Sequence, residues 1–189
     1  MEIDLFWTKI MRVLSIITLI MLIAGCTGTP ENVRPVDHFS LDRYLGKWYE
    51  IARLDHSFER GLSNVSAEYS LRPDGGVKVI NRGFSEKKQQ WKQAEGKAYF
   101  VTDSHIGHLK VSFFGPFYGS YVVFDLDKTA YQYAFVAGYN TSYLWLLSRT
   151  PTVSKEVIDK FIKESKALGF NTDELIFVKQ DQSTQTPAR

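Results

Sequence analysis

From residue 47 onward, apolar and polar positions alternate in short runs interrupted by turn residues, the period-two pattern of strands buried on one face. The pattern predicts strands at 47–54, 64–71, 77–84, 90–101, 108–114, 120–126, 131–138 and 142–149. Between them lie short connectors such as RPDGG (72–76), SEKKQ (85–89), TDSHIG (102–107), GPFYG (115–119) and LDKTA (126–130). Connectors this short join antiparallel neighbours. The expected class is therefore all-β, an eight-stranded antiparallel up-and-down β-barrel with a C-terminal α-helix. Closure removes both sheet edges and leaves an interior wide enough for one small ligand.

After Arg149 the period lengthens: Val157, Ile158, Phe161, Ile162, Ser165 and Leu168 share one helical face, with Ser154 placed to cap its start and Gly169 to end it. A short strand is expected at 174–178 against the barrel edge, and the polar tail 180–189 reads as disordered.

Upstream, residues 13–23 are apolar except Ser15 and Thr18, the length of a secretory core and too short to span a bilayer. Glu2 and Asp4 offset Lys9 and Arg12, whereas a start at Met11 leaves a compact signal whose charge is not cancelled. The run ends in LIAGC (22–26), which resembles the lipobox of bacterial lipoproteins. That resemblance implies cleavage after residue 25, acylation of Cys26 and, with Thr27 following it, an outer-membrane anchor. The expected divisions are a signal at 1–25, an acylated N-terminus and flexible tether at 26–36, a barrel with its helix and last strand at 37–179, and the tail. Fully extended, the ten-residue stretch from 27 to 36 reaches roughly 33 Å.

In a meander, alternate loops emerge at the same end. The loops at 55–63, 85–89, 115–119 and 139–141 gather Phe58, Leu62, Phe117, Tyr118 and Tyr139 and are expected to form a mouth. The other three are polar and form a floor. Trp48 begins the first strand and Arg149 ends the eighth, so both stand at the floor, next to each other once the barrel closes. Either the guanidinium stacks on the indole, for about 1–2 kcal/mol where water is excluded, or Trp48 is a core residue and Arg149 a surface charge. Strand parity turns Glu50 and Ala52 inward with Trp48, and Tyr143, Trp145 and Leu147 inward with Arg149. Glu50 then needs a partner, and Arg149 is the expected one.

GKWYEIAR (46–53) resembles the Gly-x-Trp signature of the lipocalins, and Arg149 in LLSRTP matches the arginine that family packs across the tryptophan. Together with the lipobox, KVSFFGPFYG and YLWLLSRTP, the chain is similar to bacterial outer-membrane lipocalins over residues 37–179. One departure is LDKTAY (126–131), where many lipocalins carry Thr-Asp-Tyr. The resemblance implies a single-chain lipid, a fatty acid or lysophospholipid, in the barrel at the periplasmic face of the outer membrane. A sterol, a tetrapyrrole or another hydrophobic compound, or a filled structural barrel, are the alternatives. The candidate lining residues are Ala52, Phe58, Tyr118, Phe135, Tyr143, Trp145 and Leu147; Gly46, Trp48 and Arg149 form the base.

Composition narrows the classes further. With 23 basic and 21 acidic residues the net charge is +2, which argues against nucleic acid as a partner. Cys26 is the only cysteine, so once acylated it leaves no thiol for catalysis or metal binding. His105 and His108 lack a third ligand, and His56, Ser63 and Ser66 stand in no nucleophile motif. No enzyme, cofactor or metal is expected. The mouth aromatics suit a homodimer or a membrane contact.

Overall fold

A computed structural model describes residues 27–181. A short helix α1 (Leu41–Tyr44) leads into eight strands: β1 (Gly46–Arg53), β2 (Leu62–Leu71), β3 (Val77–Ser85), β4 (Gln90–Phe100), β5 (His108–Phe114), β6 (Phe117–Leu126), β7 (Tyr133–Ala137) and β8 (Leu144–Ser148). Helix α2 (Lys155–Ala167), a 3₁₀ turn (Thr172–Glu174) and β9 (Ile176–Phe177) complete the chain. Each strand pairs antiparallel with its successor, β8 returns to β1, and β1 also pairs with β2, closing the barrel. β9 adds to β1 through Ala52↔Phe177 and Arg53↔Ile176.

The wall carries two apolar layers. Trp48, Tyr69, Val77, Val79, Leu109, Val136 and Leu147 pack inside the barrel. Ile51, Ala52, Phe135, Ala137, Leu144 and Leu146 pack outside it, with Phe161 of α2 and Phe170. In β7 the alternation is plain: Ala134 and Val136 join the inner layer, Phe135 and Ala137 the outer. Because α2 covers this sector, both faces of β7 and β8 are buried and the two strands are apolar almost throughout. Ser154 occupies the N-cap position of α2 without a side-chain capping bond, and Gly169 (φ +90°) turns the chain away at its other end.

Three expectations are corrected. The segment before the barrel is not a free tether: Val36 N–H donates to Val123 O (2.8 Å), Gly107 N–H to Val36 O (2.8 Å) and Ser120 Oγ to Gly28 O (2.5 Å). Val33 is fully buried in the outer layer, so two valines in a polar stretch dock it on the wall, and the packed unit begins well before residue 37. The tail does not come loose at residue 180. Gln180 Nε2 donates to Glu50 O (2.8 Å) and Val65 O (2.9 Å), and Asp181 N–H to Asn64 Oδ1 (2.6 Å), filling the seam beyond Tyr49↔Ser66 where β1 and β2 part. Residues 182–189 of the tail, and the signal segment, lie outside the described residues.

The third correction concerns parity. β1 pairs Glu50 with Leu147 but Ala52 with Leu146, a bulge that spends one extra residue and reverses the sides beyond it. Ala52 consequently faces outward beneath α2, not into the barrel, and Arg53 takes the inward side.

Candidate functional site

A cavity of about 110 Å³ occupies the barrel interior. Its wall is mainly Val77, Val79, Ala98, Leu109, Val111, Phe113 and Leu147, with Phe39, Leu41 and Tyr44 at the floor and Phe58, Glu59 and Trp145 toward the mouth. Phe58 is 58% exposed while lining it, so the cavity reaches the surface there.

The floor is sealed. Trp48 is fully buried and donates Nε1–H to Tyr44 O (2.7 Å). Cζ of Arg149 lies 3.9 Å from the Trp48 ring centroid, and its guanidinium donates to Lys47 O (2.9 Å), Arg43 O (2.7 Å) and Tyr131 O (3.3 Å). These are the orphan carbonyls where α1 runs into β1 and where the β6–β7 loop ends. Gly46 has φ +90°, a left-handed conformation that turns the chain from α1 into β1, and a Cβ there would stand 3.5 Å from Arg149 Nη1. Above the seal, Tyr44 and Tyr69 each hydrogen-bond the Tyr121 hydroxyl (2.7 and 2.9 Å). Burial pushes all three phenols above their ordinary range, so they stay neutral donors and acceptors at the deep end of the cavity.

A second polar group sits under the mouth. Arg53 Nη1 donates to Glu50 Oε1 (2.6 Å) and Nη2 to the Glu59 carbonyl (2.9 Å). His56 Nε2 lies 2.9 Å from Glu59 Oε2, which also accepts Trp145 Nε1–H (3.1 Å). Arg149 is therefore not the partner of Glu50. The bulge brings Arg53 onto the same side three residues along, while Arg149 is committed to the floor carbonyls. Burial and then the charge of Glu59 hold the Glu50 carboxyl well above the usual range, against the pull of Arg53. Burial acts on Glu59 too, but contacts from His56 and Trp145 outweigh it and hold that carboxyl low. Burial thus biases Glu50 toward its protonated form while His56 and Trp145 bias Glu59 toward ionisation, and both line the cavity wall. Asn81 also lines the cavity, and its Oδ1 is buried without a partner among the described residues.

The proposed lining residues divide. Phe58, Trp145 and Leu147 line the cavity. Tyr143 stands at the mouth, 6.1 Å from the Trp145 ring and 5.3 Å from Tyr139, outside the lining set. Phe135 is misplaced: it lies on the outer face of β7, 5.0 Å from Phe161 of α2. Tyr118 is also misplaced, because β6 starts at Phe117 and its register turns Tyr118 outward beside Tyr99 and Lys110. Cys26 lies outside the described residues. Arg53, His56 and Glu59 are the participants the sequence reading passed over. Their signal is a polar residue at every third position from Glu50 to Glu59, a spacing that fits neither strand nor helix unless a bulge and a turn intervene.

His105 pairs with Asp103 (2.9 Å) while His108 faces Ser120 (3.3 Å), so the two histidines do not converge. Among the described residues no group of three or more His, Cys, Asp or Glu could hold a metal ion, and no helix is long and apolar enough to cross a membrane.

A closed eight-stranded meander with a flanking helix, a Gly-x-Trp entry and an arginine across that tryptophan is a lipocalin barrel, and the lipocalin-like domain family model matches residues 39–180. The chain belongs to the lipocalin family. Within it, the chain is 65% identical over 170 residues to the outer membrane lipoprotein Blc of Vibrio cholerae, covering 90% of this chain and 99% of that protein. It is 48% identical to the protein of the same name in Escherichia coli, covering 92% and 100%. Among solved structures, insecticyanin from the tobacco hornworm Manduca sexta shares the fold with a TM-score of 0.66 at 22% identity, over 82% of this chain and 88% of that one.

Proposed function

We propose that this lipocalin is an outer-membrane lipoprotein, like the relatives that carry that name, and that it stores or carries one single-chain lipid, a fatty acid or lysophospholipid. The observation that carries this reading is the cavity: mainly apolar along its wall, sealed at Trp48 and open beside Phe58. Such a space selects by burying hydrocarbon. At ~0.8 kcal/mol per methylene, a sixteen-carbon chain offers up to about 12 kcal/mol before the costs of binding, once the barrel widens beyond its 110 Å³ to take the whole chain. A small polar metabolite cannot draw on that term.

The polar head then lies at the mouth, where the Glu50 and Glu59 carboxyls line the cavity and offer hydrogen-bonding partners. Cys26 is the proposed acylation site, holding the barrel on the periplasmic face of the membrane that supplies the lipid and raising the local concentration the mouth sees. The proposed mechanism is binding and release. Native mass spectrometry of the protein purified without detergent tests this. The expected result is one acyl-chain lipid per barrel; a sterol or tetrapyrrole mass, or a barrel that neither carries nor saturably binds a lipid, overturns it.

A further inference from the structure

The two ends of the barrel differ in what they show to solvent. Eight large hydrophobic residues are exposed among the described residues, and only Leu71 stands beside the floor loops. At the mouth end, Phe114 (81% exposed) and Phe117 (74%) form the tip of the β5–β6 hairpin, with Phe58 (58%) on the β1–β2 loop. Lys87 and Lys88 are exposed on the β3–β4 loop of the same end. The acids of that end are Asp55, bound by Arg60 (2.6 Å), Glu86, bound by Ser63 (2.5 Å), the buried Glu59, and the exposed Asp173 and Glu174 beside β9. The floor loops present Asp74, bound by Arg72 (2.8 Å), Asp103, beside His105 (2.9 Å), and Asp127 next to Lys128, with no exposed Phe, Tyr or Trp ring among the described residues. An apolar tip flanked by lysines suits the boundary of an anionic bilayer, and a floor without such exposed rings does not.

The path of the N-terminal segment supplies a second, independent observation. Gly28 is bonded to Ser120 and Val36 to Val123, so the segment travels from the mouth half of β6 toward the floor. Ser120 is three residues from Phe117, roughly 10 Å along the strand. Thr27, the first described residue, therefore stands nearer the hairpin tip than the floor, and an acyl anchor on the preceding residue holds that end close to the bilayer.

We propose that the mouth end docks on an anionic lipid bilayer, with Phe114 and Phe117 seated in the headgroup boundary, so that the cavity opens onto the membrane surface. The contact is distinct from the ligand: the hairpin tip lies on neither the cavity wall nor the floor seal.

The test uses the full chain carrying its anchor, reconstituted in vesicles of phosphatidylethanolamine and phosphatidylglycerol. An environment-sensitive dye is attached at Gly115→Cys, where a Cβ meets nothing within 4 Å, or at Ser104→Cys in a floor loop. Cys26 is the only native cysteine. The hairpin dye should shift to the blue and be quenched several-fold more by lipid-borne quenchers than the floor dye. Phe114→Ser with Phe117→Ser should abolish that difference. Lys87→Glu with Lys88→Glu should weaken it in anionic vesicles and leave it unchanged in phosphatidylcholine. Saturable quenching of Trp145 by a fluorescent fatty acid should stay the same in every variant, so a failure of docking is separable from a failure of lipid binding. Equal water exposure at both dyes overturns the proposal. A blue shift that appears without vesicles and grows with protein concentration also overturns it, in favour of a second copy of the chain at the hairpin.

Discussion

The floor and the mouth of this barrel solve opposite problems with similar side chains. At the floor, an aromatic, an arginine and hydroxyls are fully committed: Trp48 to Tyr44 O, Arg149 to the indole and three carbonyls, and three tyrosines to one another. At the mouth, Trp145, Arg53 and two glutamates also interlock, but they border a cavity and stand beneath exposed phenylalanines. The lesson is that committed polar groups close an end, whereas polar groups bordering a cavity and uncovered rings leave one open. Changes at the floor should therefore act on stability and changes at the mouth on lipid.

The sharpest break of that contrast is Trp48→Ala. It should cost about 3–5 kcal/mol, read by chemical denaturation, since a fully buried indole leaves both a void and an unstacked guanidinium. Arg149→Met should follow at about 2–3 kcal/mol, because it strips charged donors from three carbonyls. In both, lipid affinity of the folded fraction should stay near wild type.

Next come the two glutamates, with opposite pH signatures. Glu50 has a raised value, so between the ordinary carboxyl pKa of about 4.3 and its folded value the native state holds the extra proton, and stability falls as pH rises through that window. Glu50→Gln should remove that decline and cost under about 1 kcal/mol at neutral pH, keeping an acceptor for Arg53. Glu59 has a lowered value; its contribution is present above the ordinary carboxyl pKa and is lost as pH falls through its folded value. Glu59→Gln should lose about 1–3 kcal/mol near neutrality, because the carboxylate beside His56 and Trp145 is gone. Thermal melts from pH 2 to 8 compare the pair. The smallest effect on stability should be that of Phe58→Ser, under about 0.5 kcal/mol for an exposed side chain, together with several-fold weaker lipid binding.

How much of this was legible in the sequence follows from the physics of each element. The β-strands and α2 announce themselves through periods of two and 3.6, and Trp48 and Arg149 are fixed at one end by the meander alone. The side a residue faces is harder to read. A bulge at Ile51 leaves no mark in the pattern yet moves Ala52 outward and Arg53 inward. Phe135 lies in a strand buried on both faces, where hydrophobicity cannot tell cavity from helix. GPFYG reads as a five-residue turn and so places Tyr118 in a loop, whereas pairing continues to Phe114↔Phe117. The docking of 28–36 and of Gln180 depends on the carbonyls of Val123, Glu50 and Val65 and on the Ser120 hydroxyl that donates to Gly28 O, partners that only the assembled register reveals.

The central claim is that the interior cavity takes the lipid chain, and one titration tests it most directly. Isothermal calorimetry with a sixteen-carbon lysophospholipid compares the wild type with Ala67→Phe, which projects a ring into the cavity from the lining of β2. The expected result is one lipid per wild-type barrel and at least tenfold weaker binding to the folded variant. Equal binding by both, or no saturable binding by the wild type, would contradict it.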